Sequence, residues 1–229
     1  MLQRAVFLIF LLVSTSSIAG KKLTVGKGPL PSQSKSGIAT SILAKIPGKR
    51  EKIGSWIEYS LYDKQKQKKM KLKIAFVGRT DGGRSSWMEI SVSGMNQVIR
   101  VKMLFEGNPG AKMKNPKKAI IKMGNLYPMS MAVPKTKKML PMIYRQPMIK
   151  PVILSPRTIK TPAGEFKGAT GAKGIDPGGN VIEIYNHKNI RLNGFLKFED
   201  SRFKMVLIGQ GEGARSRIKQ KPVPFSVPH

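Results

Sequence analysis

Few side chains in this sequence are suited to catalysis, and none of them stands in a recognised catalytic spacing. The two histidines are His187, in a polar stretch between predicted strands, and His229, the last residue, and neither lies near a patterned serine or aspartate. Ser32 and Lys35 have the spacing of a Ser-Lys nucleophile pair, but no predicted core surrounds them to desolvate the lysine. The lack of cysteine excludes thiol nucleophiles, disulfides and cysteine-built metal sites. We therefore expect a protein that is not an enzyme and that needs no cofactor.

Acidic residues and a glycine run are two weaker candidates for a site. Glu58 and Glu89 are predicted to share one face of a sheet with lysines of neighbouring strands. Such cross-strand pairs, each worth about 0.2–1 kcal/mol, would keep both glutamates ionised rather than available as general acids. The run Gly209–Gly213 is followed by a proline-rich tail instead of a helix, and Glu212 within it would repel phosphate. We expect ion pairs in the first case and a glycine-rich strand end in the second.

Positive charge is the strongest chemical signal, because 42 Lys and Arg residues stand against 12 Asp and Glu residues, a formal charge of +30. Cations without acidic neighbours attract polyanions by releasing counterions, and two tryptophans on the same predicted face could stack on a base or a sugar ring. Lysine lacks the fork of arginine, which favours diffuse attraction to lipid phosphate, acidic polysaccharide or nucleic acid over reading of a base sequence. The candidate polyanion-binding residues are Lys64, Lys66, Lys68, Lys69, Lys71, Lys73, Trp56, Trp87, Arg100 and Lys102.

Two other interpretations of the charge need no ligand. The lysines can form a solvated face that guards the edges of a sheet against pairing with other chains. Alternatively, a protein exposed to acid loses native carboxylate pairs as those groups protonate, so a chain with few carboxylates has less stability to lose.

The methionines suggest an alternative site, for Cu(I). Thioethers are soft ligands that select Cu(I), and spacings of two or three residues on an extended loop suit its coordination. Methionine is also an adaptable apolar filler, and Met70, Met88 and Met103 occupy inward positions of predicted strands. The candidate copper ligands are Met129, Met131, Met139 and Met142.

The N-terminus has the pattern of an export signal. Arg4 precedes the apolar run Ala5–Val13, and Ser17-Ile18-Ala19 provides the small residues of a cleavage site, so we expect a signal peptide at 1–19. A membrane span needs about 20 apolar residues, and this run is shorter. No cysteine follows the run, so no lipid is expected to be attached there. The mature chain is expected to be periplasmic or secreted, with a formal charge of +29 once Arg4 is removed.

The rest of the chain divides by composition into a basic flexible leader at 20–53, a single β-rich domain at 54–218 and a tail at 219–229. From Ser55 to Gly107 apolar residues alternate with polar ones, which predicts a four-stranded antiparallel meander.

An irregular Pro/Met-rich segment at 126–156 follows, where the prolines exclude a long helix and a central strand. Alternation returns at Arg157. We predict a mostly β fold: a curved antiparallel sheet or half-barrel of hairpins, with a proline-rich middle crossover and little helix.

Four segments carry a family resemblance: IKTPAGEF at 159–166, GSWIEYSLYD at 54–63, AIIKMGN at 119–125 and GARSRI at 213–218. The first resembles the T-P-A-G-x-F hairpin of bacterial exported domains of uncharacterised function, and the others are similar to strands of the same group. That group is similar to the lipoprotein-carrier type of curved β-sheet, whose concave side can hold an acyl chain. The resemblance implies a fold and a compartment, and it brings no catalytic residues.

These observations together favour an exported, non-catalytic binding or structural protein of the bacterial cell envelope. Its expected partner is an anionic or amphiphilic component, such as a lipid, a lipoprotein or an acidic polysaccharide, with peripheral membrane contact. The alternatives are a general polyanion or nucleic-acid binder without sequence specificity, and a Cu(I)-binding protein. The predicted inward face, with Ile57, Tyr59 and Leu72, is either a packed core or a lipid groove.

Overall fold

The computed structural model describes residues 51–107, 116–131, 148–176 and 179–224, without the side chains of Met131 and Asn193. The expected signal peptide, nearly all of the expected leader, and the candidate copper ligands Met139 and Met142 lie outside the described residues.

Strands make up almost all regular structure of the described chain, and they form one open, curved sheet. The only helical elements in those residues are two single turns of 3-10 helix, at Asp81–Gly83 and Arg191–Asn193. The predicted mostly β fold is confirmed. The strands are β1 Trp56–Asp63, β2 Lys68–Thr80, β3 Ser85–Ser93, β4 Ile99–Glu106, β5 Pro116–Met123, β6 Met129–Met131, β7 Ile149–Thr161, β8 Gly164–Ile175, β9 Val181–Asn186, β10 Lys197–Glu199, β11 Phe203–Gly211 and β12 Val223–Pro224.

The strand order is β12-β6-β5-β4-β3-β2-β1-β11-β10-β9-β8-β7. Each neighbouring pair is antiparallel except β12 and β6, which are parallel, so the sheet is mixed at one end. The predicted meander of β1 to β4 is confirmed. Pairing of β1 with β11 runs from Trp56 opposite Gly211 to Asp63 opposite Phe203, with one register shift between Glu58 and Tyr59, and joins the two halves of the chain into one sheet.

Burial alternates along the central strands, as a half-buried sheet requires. On β1, Ile57, Tyr59 and Leu61 are buried, whereas the residues between them are half-buried. We call the face with these three side chains the inner face and the opposite one the outer face. The core on the inner face draws on both halves of the sheet and includes Met70, Leu72, Ile74, Phe76, Phe166, Ile184, Phe198, Phe203, Met205 and Leu207.

The centre of the inner face is a packed core. The ring of Phe195, from the loop between β9 and β10, stacks on Tyr59 with ring centroids 4.7 Å apart. The Phe195 N–H donates a hydrogen bond to the Tyr59 hydroxyl at 3.0 Å. Leu196 beside it is fully buried. The chain's own side chains therefore fill the space at β1 and β11 that an acyl chain would need.

The proline-rich middle differs in detail from the expectation, because strand β7 begins at Ile149 and not at Arg157, and Met129–Met131 forms the short strand β6. Pro151 and Pro156 lie within β7. Proline cannot donate to a strand ladder and is therefore tolerated only at a sheet edge or a bulge. β7 is the last strand of the sheet and its register with β8 shifts three times, which satisfies both conditions.

A candidate anionic-ligand surface

Several cations share the outer face of three strands. By strand alternation Lys69, Lys71 and Lys73 of β2 lie on the face opposite to the core, and Arg100 and Lys102 of β4 and Lys122 of β5 follow them across the sheet. We call Lys69, Lys71, Lys73, Arg100, Lys102 and Lys122 the lysine face.

Serine hydroxyls separate the cations of the lysine face. Lys71 stands between Ser60 of β1 and Ser93 of β3. In the next row Ser91 stands between Lys73 and Arg100. Directly opposed residues of neighbouring strands have Cβ atoms about 5 Å apart, so each hydroxyl can donate to an anionic oxygen that a flanking cation attracts.

The cations of the lysine face have no acidic partner in the described part of the chain. Within the described ranges, none of the six forms a salt bridge. Glu58 stands opposite Lys73 and Glu89 opposite Lys102, as expected, but no salt bridge of either glutamate is found among the described residues. The Lys73 ammonium lies instead over the ring of Trp56, 3.9 Å from its centroid, and the carboxylate of Glu89 is taken by a different segment.

Both candidate tryptophans are covered, which disfavours their use as stacking platforms. The ring of Trp56 lies so close to β11 that a Cβ at Gly209 or Gly211 would come within 3.3 or 3.1 Å of ring atoms. Its Nε1–H donates to the Glu212 carbonyl at 3.1 Å, and Lys73 covers it as described above. The ring of Trp87 has the Lys102 ammonium 5.0 Å from its centroid. Gly209 and Gly211 thus make room for the indole ring of Trp56.

A C-terminal segment, which we call the arm (residues 212–224), crosses the outer face from β11 to β6. The Ala214 N–H donates to the Gly54 carbonyl at 2.9 Å, and the Val223 N–H donates to the Pro128 carbonyl at the same distance. β12, at the end of the arm, pairs with β6. Ile120 is buried although it alternates onto the outer face, and Ile218 of the arm is buried as well, as expected where the arm passes over the sheet.

Glu89 fastens the arm to the sheet. Its side chain is only 4% exposed. The Ser216 hydroxyl donates to Oε2 at 2.7 Å, and the Arg217 N–H lies 3.1 Å from each carboxylate oxygen. A buried carboxylate is tolerated only when its oxygens are hydrogen-bonded, and the arm supplies these bonds.

The arm and β11 add cations that the sequence pattern did not reveal. Arm residues Arg215, Arg217, Lys219 and Lys221 are exposed, and Gln220 accepts a hydrogen bond from the Lys122 ammonium at 2.7 Å. Lys204 of β11 lies on the outer face opposite Tyr62 of β1, and Tyr62 in turn stands opposite Lys69 of β2. The register of β11 and the path of the arm enlarge the lysine face to a wider basic surface.

Three of the candidate lysines lie away from the lysine face. The Lys64 ammonium forms a salt bridge with Glu199 at 3.0 Å and donates to the Asp200 carbonyl at 2.7 Å. Lys66 is exposed in the turn between β1 and β2, and Lys68 alternates onto the side of Met70. The lysines at 64–73 are therefore in different environments: Lys64 forms an ion pair, Lys66 lies in a turn, and those of β2 are divided between its inner and outer faces.

Two acids in the other half of the sheet, Glu199 and Glu183, lie next to cations. Glu199 is held by Lys64 and by Lys197 at 3.1 Å, and Glu183 lies 3.7 Å from Arg157. Partial burial works to raise the pKa of Glu199, but the hydrogen bonds and charges of Lys64 and Lys197 outweigh it, so the pKa lies below its ordinary value of 4.5. Burial, and then the charge and hydrogen bond of Glu183, raise the pKa of the Tyr185 hydroxyl against the opposing effect of Arg157.

The thermal midpoint of unfolding is expected to fall on acidification below about pH 4.5. A carboxyl group whose pKa is lower in the folded state stabilises the fold above its unfolded pKa, and this contribution is lost as the pH falls through the folded pKa. Replacing Glu199 with glutamine should reduce this acid-dependent loss, measured by calorimetry between pH 3 and 7. A wild-type midpoint that stays constant over this range would contradict the expectation and support acid adaptation as the origin of the charge.

The copper and histidine candidates have structural contacts. Met129 packs, partly buried, against a small cluster of Ile99, Ile121 and Met123. The copper interpretation stays a prediction, since the side chains of the other candidate ligands, Met131, Met139 and Met142, are not described.

His187 is held by two hydrogen bonds. The Asn189 N–H donates to Nδ1 of His187 at 3.2 Å, so Nε2 carries the proton and donates to the Lys167 carbonyl at 3.1 Å.

No group of three or more His, Asp or Glu residues within the described ranges could hold a metal ion. In the same ranges, no helix is both long and apolar enough to cross a membrane.

Comparison with known proteins finds no matching family model and no matching curated protein. Two solved structures are among those that match this chain. One is provisionally described as a lipoprotein of Parabacteroides distasonis, with a TM-score of 0.36 and 12% identity over 70% of this chain and 96% of that chain. The other is provisionally described as an exported protein with a YmcC-like fold from Bacteroides fragilis, with a TM-score of 0.34 and 13% identity over 71% of this chain and 97% of that chain.

Proposed function

We propose that the chain is an exported, non-catalytic protein of the bacterial cell envelope that binds an anionic envelope component through the lysine face. The single observation that carries this proposal is the row of Lys73, Ser91, Arg100 and Lys122 across adjacent strands, whose cations have no carboxylate partner within the described chain. The export part of the proposal rests on the N-terminal signal pattern.

The anionic option is favoured over an amphiphilic one. An acyl chain needs an open apolar groove, and the centre of the inner face is filled by Phe195 and Leu196. The outer face instead presents flexible ammonium groups next to serine hydroxyls. This combination suits phosphate, sulfate or carboxylate groups repeated along a polymer or a headgroup layer.

Single-stranded nucleic acid is the less favoured polyanion. Proteins that bind it without sequence preference stack its bases on exposed aromatic rings. Trp56 is occupied by Lys73 and by the backbone of β11, and Trp87 by Lys102. Without exposed rings for base stacking, the lysine face could bind nucleic acid only by electrostatic attraction to its phosphates.

Lysine acetylation with and without heparin, read by mass spectrometry, tests where the polyanion lies. We expect heparin to protect Lys69, Lys71 and Lys122 from acetylation at least about threefold, since a bound anion shields the ammonium groups it contacts. Lys167 and Lys188 are exposed and lie on other elements, so they are the internal controls. Equal protection of both sets would contradict a localised site. Vesicles of phosphatidylglycerol, used in place of heparin, distinguish a headgroup layer from a soluble polymer.

A further inference from the structure

An apolar strip is exposed at the end of the sheet opposite to β12. Val152 is 62% exposed, Val181 51% and Ile149 43%. Ile149 of β7 stands opposite Ile175 of β8, which stands opposite Val181 of β9. Val152 stands opposite Lys173, two residues from Ile175 on the same face of β8. We call Ile149, Val152, Ile175 and Val181 the strip.

Cations border the strip. Lys150 follows Ile149 and Lys173 lies beside Val152 in the ladder, and within the described ranges neither forms a salt bridge. The nearby acids are engaged within the protein: Glu183 lies 3.7 Å from Arg157 and 3.8 Å from Lys197, and the Asp176 carboxylate accepts hydrogen bonds from Asn180.

A second copy of this chain is a poor occupant for the strip. Self-pairing at β7 would bring Lys150, Arg157 and Lys160 of two chains together, and each chain carries a large positive charge. Pro151 and Pro156 lack the N–H groups that an added strand would need. The positive φ of Lys150, 50°, distorts the edge further.

We propose that the strip docks on the surface of an anionic lipid bilayer. Exposed aliphatic side chains bordered by lysines bind such a surface by two additive contributions, burial of apolar area at the acyl boundary and attraction of the cations to anionic headgroups. The strip provides the first and Lys150 and Lys173 provide the second. This contact is separate from the lysine face, which belongs to β2, β4 and β5.

Vesicles of brominated phosphatidylglycerol test insertion directly. In a Val152→Trp variant, bromine should quench the introduced indole, so that total tryptophan fluorescence falls at least about twice as far as in the wild type, whose Trp56 and Trp87 are covered by Lys73 and Lys102. Salt at about 0.5 M should reduce the additional quenching without abolishing it, because salt screens the attraction of Lys150 and Lys173 to the headgroups but does not screen apolar insertion. Absence of additional quenching would overturn the proposal.

A Val152→Ser variant tests the affinity. We expect its partition into phosphatidylglycerol vesicles to weaken about tenfold, since one aliphatic side chain no longer inserts, while its affinity for heparin stays unchanged. Tyr127→Ser, in the turn between β5 and β6, is the matched control because Tyr127 is 68% exposed. Equal weakening in both variants, or a dimer of the wild type that Val152→Ser dissociates, would contradict membrane docking. Loss of heparin binding with unchanged partition into vesicles would also contradict membrane docking.

Discussion

Trypsin is expected to cleave the arm about 30-fold faster in a Glu89→Ala variant than in the wild type, at Arg215, Arg217 or Lys219. The substitution removes the acceptor of the Ser216 hydroxyl and of the Arg217 N–H. Hydrogen bonds to a charged group contribute about 1.5–3 kcal/mol, and a loss of about 2 kcal/mol raises the population of the open arm about 30-fold. Limited proteolysis followed by mass spectrometry measures both the rate and the site of cleavage.

Glu58→Ala is the matched control for the arm. Glu58 also lies on the outer face and opposes a lysine, but it accepts no hydrogen bond from the arm among the described contacts. Cleavage of this variant should occur at the wild-type rate. If Glu89→Ala resists trypsin as well as the wild type does, the arm is held mainly by other contacts, such as pairing of β12 with β6, and Glu89 is not its fastening point.

Much of the fold could be predicted because alternation in β1 to β4 is regular and each of these strands follows its neighbour in the chain. The pairing of β1 with β11 joins residues at least 140 positions apart, and periodicity contains no information about such long-range partners. The early start of β7 was missed because Pro151 and Pro156 argue against a strand unless its position at the edge is known.

The candidate site was predictable only in part, because some of its contacts join residues that are far apart in the sequence. Alternation assigned Lys69, Lys71 and Lys73 to one face, and the same rule extended to β5 would have added Lys122. No local pattern indicates that Lys64 turns to Glu199 or that the arm reaches Glu89, because both contacts join residues more than 120 positions apart. The tryptophans were correctly assigned to the outer face, but their covering by lysines depends on side-chain conformation.

Neutralising three cations of the lysine face is expected to weaken binding to an anionic polymer about 100-fold at low salt. The variant is Lys69→Gln, Lys71→Gln and Arg100→Gln, which leaves Lys73 in place on the ring of Trp56. Each cation near an anionic surface contributes about 1 kcal/mol. The fold should remain intact, since these side chains are on the outer face and make no salt bridge in the described chain.

Lys160→Gln, Lys167→Gln and Lys188→Gln together form the control, with the same change of charge on other elements. All three side chains are exposed. The only salt bridge described for them, Lys160 with Glu165 at 3.6 Å, is exposed and contributes little.

The salt dependence of binding to duplex DNA, a polyanion of known charge spacing, tests the central claim most directly. The slope of log K against log salt should become shallower by up to about 3 in the lysine-face variant, because about 0.9 counterion is released per phosphate contact. The control variant should keep nearly the wild-type slope. Equal changes in both variants would contradict a localised lysine face and attribute the attraction to the net charge of the whole chain.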